Sequence, residues 1–176
     1  MSQLMTAAPG ARLIAGIDVG DTTSHVCIID AGTGDVIEEA RIRTDARGVN
    51  AFFARRAGMR VTLEAGTQSN WVSKALAEAG HDVTVANSAR VRLIHGGARK
   101  NDQLDAEKLA RLLRYDRHLL GPIEHRDLRT QHDLAVVRSR DGLVRARCVP
   151  VNHARGVVKQ FGLWIPKCPT GSFAFT

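Results

Sequence analysis

Four acids stand where they could act together: Asp18, Glu64, Asp102 and Asp105. Asp18 closes the apolar run Leu13-Ile14-Ala15-Gly16-Ile17, and Glu64 closes Val61-Thr62-Leu63; both runs read as buried strands. In sheets that contain parallel strands, sites gather at the strands' carboxyl ends, so acids ending two such strands can converge. Asp102 and Asp105 are three residues apart at the start of a helical pattern and share a face. Four converging carboxylates are too much like charge to leave unneutralised. Hard oxygen ligands suit Mg²⁺ or Mn²⁺. Two such ions about 3.5–4 Å apart could activate a water or a DNA 3′-hydroxyl and stabilise the leaving oxygen of a phosphodiester.

Each acid also has a structural reading. Asp18 precedes Gly20-Asp21-Thr22-Thr23 and can cap a turn; Glu64 precedes Ala65-Gly66 and can cap the next helix. Asp102 is a good N-cap, and Asp105 in a first turn suits the helix dipole. Asp21, Asp30, Glu78 and Asp116 read as solvated.

The elements that must position these acids follow from periodicity. Strands are expected at Leu13–Val19, His25–Asp30 and Val36–Thr44, with a hairpin loop at Ala31–Asp35, which makes an antiparallel meander. A helix over Arg47–Ala57, a strand over Met59–Glu64, a helix over Ser69–Ala79 stopped by Gly80, and a strand over His81–Ala86 follow. The short connections imply parallel crossovers. The basic, polar residues 87–101 contain Gly96-Gly97, which should break a helix. Asp102 to Leu120 is helical, with Leu104, Leu109, Leu112 and Leu113 as its apolar face and Gly121-Pro122 as its end. An arginine-rich helical pattern runs from about Gln131 to Gly162, and Pro150 should kink or break it. The expected organisation is a loose leader at 1–11, an α/β domain at 12–120, a basic helical extension at 121–165 and an irregular tail at 166–176.

Charge divides along the chain. Residues 1–85 hold 8 Lys/Arg against 10 Asp/Glu (net −2), while residues 86–176 hold 17 against 8 (net +9). This asymmetry favours a polyanionic partner for the second half. Arg99, Lys100, Arg138, Arg140, Arg145, Arg147 and Arg155 are the candidate nucleic-acid contacts, or else a solvated helix face. Cys27, Cys148 and Cys168 are odd in number and far apart, which points to neither a zinc site nor a disulfide framework and fits a cytoplasmic setting. No signal peptide is visible and no run approaches 18 apolar residues, so no membrane partner is expected. His25, His81 and His95 lack metal-ligand spacing and read as surface or loop residues; Trp71 and Phe52 sit at core spacing.

Several segments resemble the DEDD transposases of the insertion-sequence-110 family: Gly16-Ile17-Asp18-Val19, Leu63-Glu64-Ala65, Gly80 to Asn87, and Lys100-Asn101-Asp102-Gln103-Leu104-Asp105-Ala106. Asp-x-x-Asp-Ala followed by Leu109-Ala110 is the most specific of them, and Leu143 to Arg147 with Gln160-Phe161-Gly162 is similar to the family's arginine-rich helical segment. The resemblance covers about residues 13–162. It implies an α/β, RNase H-like (RuvC-like) mixed sheet with flanking helices, a two-metal site on Asp18, Glu64, Asp102 and Asp105, and transposase chemistry on DNA. It further implies a guide RNA as second partner, while the helical pattern after Gln131 points to homo-oligomers through the C-terminal helices. The expected location is the bacterial cytoplasm, nucleoid-associated when on DNA.

The sequence departs from the family pattern at Gly20-Asp21, where Ser-Lys is usual, at Ala65-Gly66-Thr67, where Ala-Thr-Gly is usual, and at Asn101, usually Thr. It ends before the family's C-terminal serine domain, and Ser172 has no matching context, so a truncated transposase is expected. A non-catalytic nucleic-acid-binding remnant or regulator is the alternative. Gly16 to Thr23 also resembles the first phosphate loop of actin-like ATPases and sugar kinases, which need a second domain to close over the nucleotide.

Overall fold

The computed structural model describes residues 13–56, 58–94, 102–166, 168 and 173, with the backbone alone at 94, 102 and 103. The chain divides into two compact units, Met1–His125 and Arg126–Thr176.

The first unit is built on one five-stranded sheet. Its strands are β1 (Leu13–Asp18), β2 (Thr23–Asp30), β3 (Val36–Arg43), β4 (Arg60–Glu64) and β5 (Asp82–Ala86), in the order β3-β2-β1-β4-β5. β1, β2 and β3 pair antiparallel, whereas β4 lies parallel to both β1 and β5. The antiparallel meander and the switch to parallel crossovers are as the sequence predicts, and the arrangement is an α/β mixed sheet with flanking helices.

Strand alternation divides the core into two layers. Ala15, Ile17, Val26, Ile28, Val61 and Leu63 face α1 (Ala46–Phe53) and α2 (Ser69–Glu78), where Val49, Phe53, Val72 and Leu76 complete the cluster. Ile14, Cys27, Ile29 and Ala86 face the other way. They meet Ala106, Leu109, Ala110 and Leu113 of α4 (Asp102–Tyr115) and Val91 of α3 (Ser88–Ile94). A sheet covered on both faces accounts for the continuous apolar reading of β1 and β2.

The helix boundaries follow their caps. Asp45 accepts the Gly48 N–H at 2.7 Å at the start of α1. Gly80, at φ +86°, stops the chain after α2, as its position predicts. The helix expected from Asp102 to Leu120 ends earlier, at Tyr115. Asp116 then accepts the His118 N–H at 2.8 Å and starts a separate 3₁₀ turn over Arg117–Leu120, closed by left-handed Gly121. The basic segment 87–101 contains α3, which occupies Ser88–Ile94, before Gly96-Gly97. His81, read as a surface or loop residue, is buried: its Nδ1 accepts the Met59 N–H at 3.3 Å, and its ring stacks edge-on to Phe53 at 5.5 Å. Ala57, His95, Gly96, Gly97 and Ser172 lie outside the described residues.

The second unit is dominated by α5 (Leu128–Gln160), a 33-residue helix whose N-cap Asp127 accepts the Thr130 N–H at 2.9 Å. Pro150, expected to kink or break the helix, lies inside it and does not break it. Arg155 ties this helix to its own C-terminal segment: its Nη2 donates to the Cys168 carbonyl at 3.3 Å, and its guanidinium stands 5.6 Å from the Phe173 ring centre. Among the described residues no helix is long and apolar enough to cross a membrane.

Candidate active site

The register of the sheet places the acids. Ile17 pairs with Leu63 across the parallel β1–β4 ladder, so Asp18 and Glu64 each stand one residue beyond that pair at adjacent carboxyl ends. Both are half-buried. Gly16 and Asp18 are two apart on β1 and therefore face the same side, the α4 side, because a Cβ on Gly16 would collide with the Ala106 carbonyl.

The direction of α4 follows from its other end. Arg60 at the amino end of β4 donates from Nη2 to the Leu113 carbonyl at 3.0 Å. Arg114 donates to the carbonyls of Ala31 and Gly32 at 3.0 and 2.6 Å, in the turn after β2. The carboxyl end of α4 thus lies over the amino ends of β1 and β4. Fourteen residues of helix cover about 21 Å, close to the ~20 Å of six-residue β1. The amino-terminal turn of α4, with Asp102 and Asp105, therefore comes to the carboxyl end of the sheet.

Glu64 is not the cap of the next helix. The N-cap of α2 is Gln68, which makes no side-chain capping bond. Ser69 instead closes the turn, its Oγ accepting the Gly66 N–H at 3.0 Å and donating to the Gly66 carbonyl at 2.8 Å. The Asp105 carboxylate is held by the Lys108 ammonium at 3.0 Å, with both side chains partly buried. Asp102 opens α4, and its side chain lies outside the description.

Carboxylate oxygens at this end are the hard donors that Mg²⁺ or Mn²⁺ takes. Among the described residues, no three of His, Cys, Asp and Glu are gathered closely enough to hold an ion. The register joins Asp18 with Glu64, and the helix direction brings Asp105 to the same end. The donor set there is of the right chemistry for a divalent ion, provided that Asp105 exchanges Lys108 for it.

The turn after β1 is occupied by protein contacts. Gln68 Nε2 donates to the carbonyls of Gly20 and Asp21 at 3.2 and 3.1 Å, and the Thr23 hydroxyl accepts from Arg41. This loop packs against its own domain, which weighs against the phosphate cradle of an ATPase.

Of the candidate nucleic-acid contacts, Arg138, Arg140, Arg145 and Arg147 are exposed on α5, with Arg145 paired to Asp141 at 2.9 Å. Arg155 is half-buried in the contacts given above. Arg99 and Lys100 lie outside the described residues. Sequence reasoning missed Arg41 and read His25 as a surface or loop residue; both lie in strands, in the same cross-strand row as Asp18. Only the pairing register of β2 and β3 could have revealed them.

The sequence pattern of the insertion-sequence-110 DEDD transposases, described as a transposase, matches residues 15–162. No curated protein matches. Among solved structures, Thermus thermophilus RuvC in complex with Holliday junction substrate is similar over 61% of this chain and 96% of its own, at 16% identity and TM-score 0.46. A second Thermus thermophilus RuvC structure is similar over 60% and 96%, at 19% identity and TM-score 0.44.

Proposed function

Because the chain belongs to the insertion-sequence-110 family of DEDD transposases, we propose that its transposase chemistry on DNA is carried by Asp18, Glu64, Asp102 and Asp105. The observation that carries this reading is the Ile17–Leu63 register, with Asp18 and Glu64 ending adjacent parallel strands beneath the amino end of α4. Nucleases of the DEDD type are generally dependent on divalent metal. Here Asp18 and Glu64 from the sheet, with Asp102 and Asp105 from the helix, are the residues that would hold two Mg²⁺ or Mn²⁺ ions. Bound there, the ions supply Lewis acidity to the phosphodiester and a lowered pKa to an attacking water or 3′-hydroxyl. The protein's own part is to fix the donors on rigid elements. β1 and β4 are buried central strands, and α4 is locked at its far end by Arg60 and Arg114. Lys108 pairs with Asp105, so Asp105 would hold a metal in exchange for that pairing.

The second unit supports two partner assignments. Exposed Arg138, Arg140, Arg145 and Arg147 are placed to contact phosphates of DNA, or of a structured guide RNA. Val136, Leu143 and Val157 fall at one heptad position along α5, seven and then fourteen residues apart with Pro150 between the last two, and all three are exposed (71%, 73% and 38%). Exposed apolar residues sharing a heptad position suit a helix that pairs with another, so self-association through α5 is part of the reading. Cytoplasmic action in a bacterium, at the nucleoid, accompanies it.

The test is metal-dependent cleavage or strand transfer of donor DNA by the full chain. Asp18→Ala and Asp102→Ala should abolish it while leaving the circular-dichroism spectrum unchanged. Retained activity in either variant would sink the assignment.

A further inference from the structure

A row of side chains crosses the sheet at its carboxylate end. His25 pairs with Asp18 across β1–β2, and Arg41 pairs with His25 across β2–β3. Residues directly opposite one another share a face, so Arg41, His25 and Asp18 all face the α4 side, and Glu64 continues the row on β4. At a strand spacing of about 4.8 Å, the Arg41 backbone lies roughly 10 Å from that of Asp18. Between this row and the first turns of α4 is a pocket of about 230 Å³, lined by His25, Val26, Glu39, Ala40, Arg41 and Ala106.

Arg41 is built to hold an anion. Its Nε and Nη2 both donate to Thr23 Oγ1, at 3.1 and 2.9 Å, which fixes the plane of the guanidinium. Among the described residues no carboxylate is ion-paired to it. A cation oriented by a neutral hydroxyl, with no carboxylate paired to it among the described residues, offers its charge to a ligand. Planar N–H donors match phosphate oxygens in particular. The pocket is smaller than the ~300–1,000 Å³ that small-molecule sites occupy, and so suits one backbone phosphate better than a nucleotide cofactor. Glu39 sets where the anion sits. It pairs with Cys27, two residues further from the carboxylate end than Arg41, so its charge repels an anion from that side and leaves the His25–Arg41 edge.

We infer that Arg41, oriented by Thr23 and assisted by an N–H of His25, forms a subsite for a backbone phosphate of the DNA strand. That phosphate flanks the one presented to Asp18 and Glu64. The inference rests on the reading of the row's other end as the reacting centre. It assigns Arg41 to gripping the strand beside the cut and not to the chemical step.

The test separates the two readings by omitting metal. Binding of a short DNA duplex of arbitrary sequence to the full chain is followed by fluorescence anisotropy in EDTA across a salt series, for the wild type, Arg41→Gln and Thr23→Val. Arg41→Gln should weaken binding about tenfold and lower the slope of log K against log salt by about 0.9, the loss of one phosphate contact. Thr23→Val keeps the charge but frees the guanidinium, so it should weaken binding with the slope unchanged. Arg41 is exposed, and equal unfolding temperatures would show that each variant is folded. An Arg41→Gln protein with wild-type affinity and slope would overturn the subsite, as would a wild type that does not bind the duplex. If Glu64→Gln left Mg²⁺ binding untouched while Arg41→Gln behaved as stated, the metal assignment would fail and the phosphate subsite would stand.

Discussion

Gly16 of β1 lies directly beneath Ala106 of α4: a Cβ added at Gly16 would collide with the Ala106 carbonyl and stand 2.6 Å from the Ala110 nitrogen. This contact fixes how closely the helix that carries Asp102 and Asp105 approaches the strand that ends in Asp18. The close approach of α4 to β1 depends on the absence of a side chain at Gly16, two residues before Asp18.

Gly16→Ala should therefore both destabilise the fold and loosen the site. Backbone atoms cannot step aside as a side-chain tip can, so α4 must lift from the sheet, at a cost of about 1–3 kcal/mol. The unfolding temperature should fall by several degrees, and Mg²⁺ affinity should fall with it. Differential scanning calorimetry with and without Mg²⁺ checks both; an unchanged unfolding temperature would contradict the packing described.

His81 predicts an acid-sensitive fold. Burial pushes its pKa below the usual 6.5, and the Phe53 carbonyl opposes this only in part. Among the described residues its Nε2 has no hydrogen-bond partner within bonding geometry. The folded-state pKa is lower than the unfolded one, so the unfolded chain takes up the proton first. The contribution of His81 is complete above about pH 6.5 and is lost as pH falls below that value. Asp30, Asp45 and Asp127 are shifted down from 3.8, so their contributions fade only at lower pH. Unfolding temperature measured from pH 7.5 to 5 should decline in the wild type and flatten in His81→Leu, although the variant begins lower for want of a partner to the Met59 N–H. Parallel curves would remove His81 as the cause.

Pro150 predicts a gain. An interior proline removes one helical hydrogen bond and crowds the preceding turn, costing a helix about 3 kcal/mol. α5 nevertheless runs unbroken from Leu128 to Gln160, with Val151 buried beside the proline. Pro150→Ala should raise the thermal stability of the helical signal at 222 nm by an appreciable part of that amount. A decrease would mean that proline shapes a contact which alanine cannot make.

Much of the fold was legible because its signals are local. The apolar runs ending in Asp18 and Glu64, the turn residues of Ala31–Asp35 and the stop at Gly80 each announce an element without reference to the rest of the chain. The misreadings occur where distant residues decide. α3 is seven residues of Ser-Ala-Arg-Val-Arg-Leu-Ile, and of its described side chains only Val91 joins the core, so no periodic stripe marks it. The end of α4 at Tyr115 depends on Asp116 serving as a cap for the following turn and not as another helical residue. His81 is buried because the Met59 N–H needs an acceptor across the sheet edge, a relation between residues 22 positions apart. In the candidate site, Asp18 and Glu64 could be picked out by their strand-end positions. The Arg41–Thr23 bond could not, since it exists only through the β2–β3 register.

The central claim is that the acids at this end of the sheet bind divalent metal, and isothermal titration of Mg²⁺ or Mn²⁺ into the full chain tests it most directly. The wild type should bind, and both Glu64→Gln and the Asp102→Ala/Asp105→Ala double variant should lose that binding while remaining folded. Removing one of the like charges should also raise the metal-free unfolding temperature of Glu64→Gln slightly above that of the wild type. Metal binding that persists unchanged in both variants, or a folded wild type that binds no metal, would contradict the account.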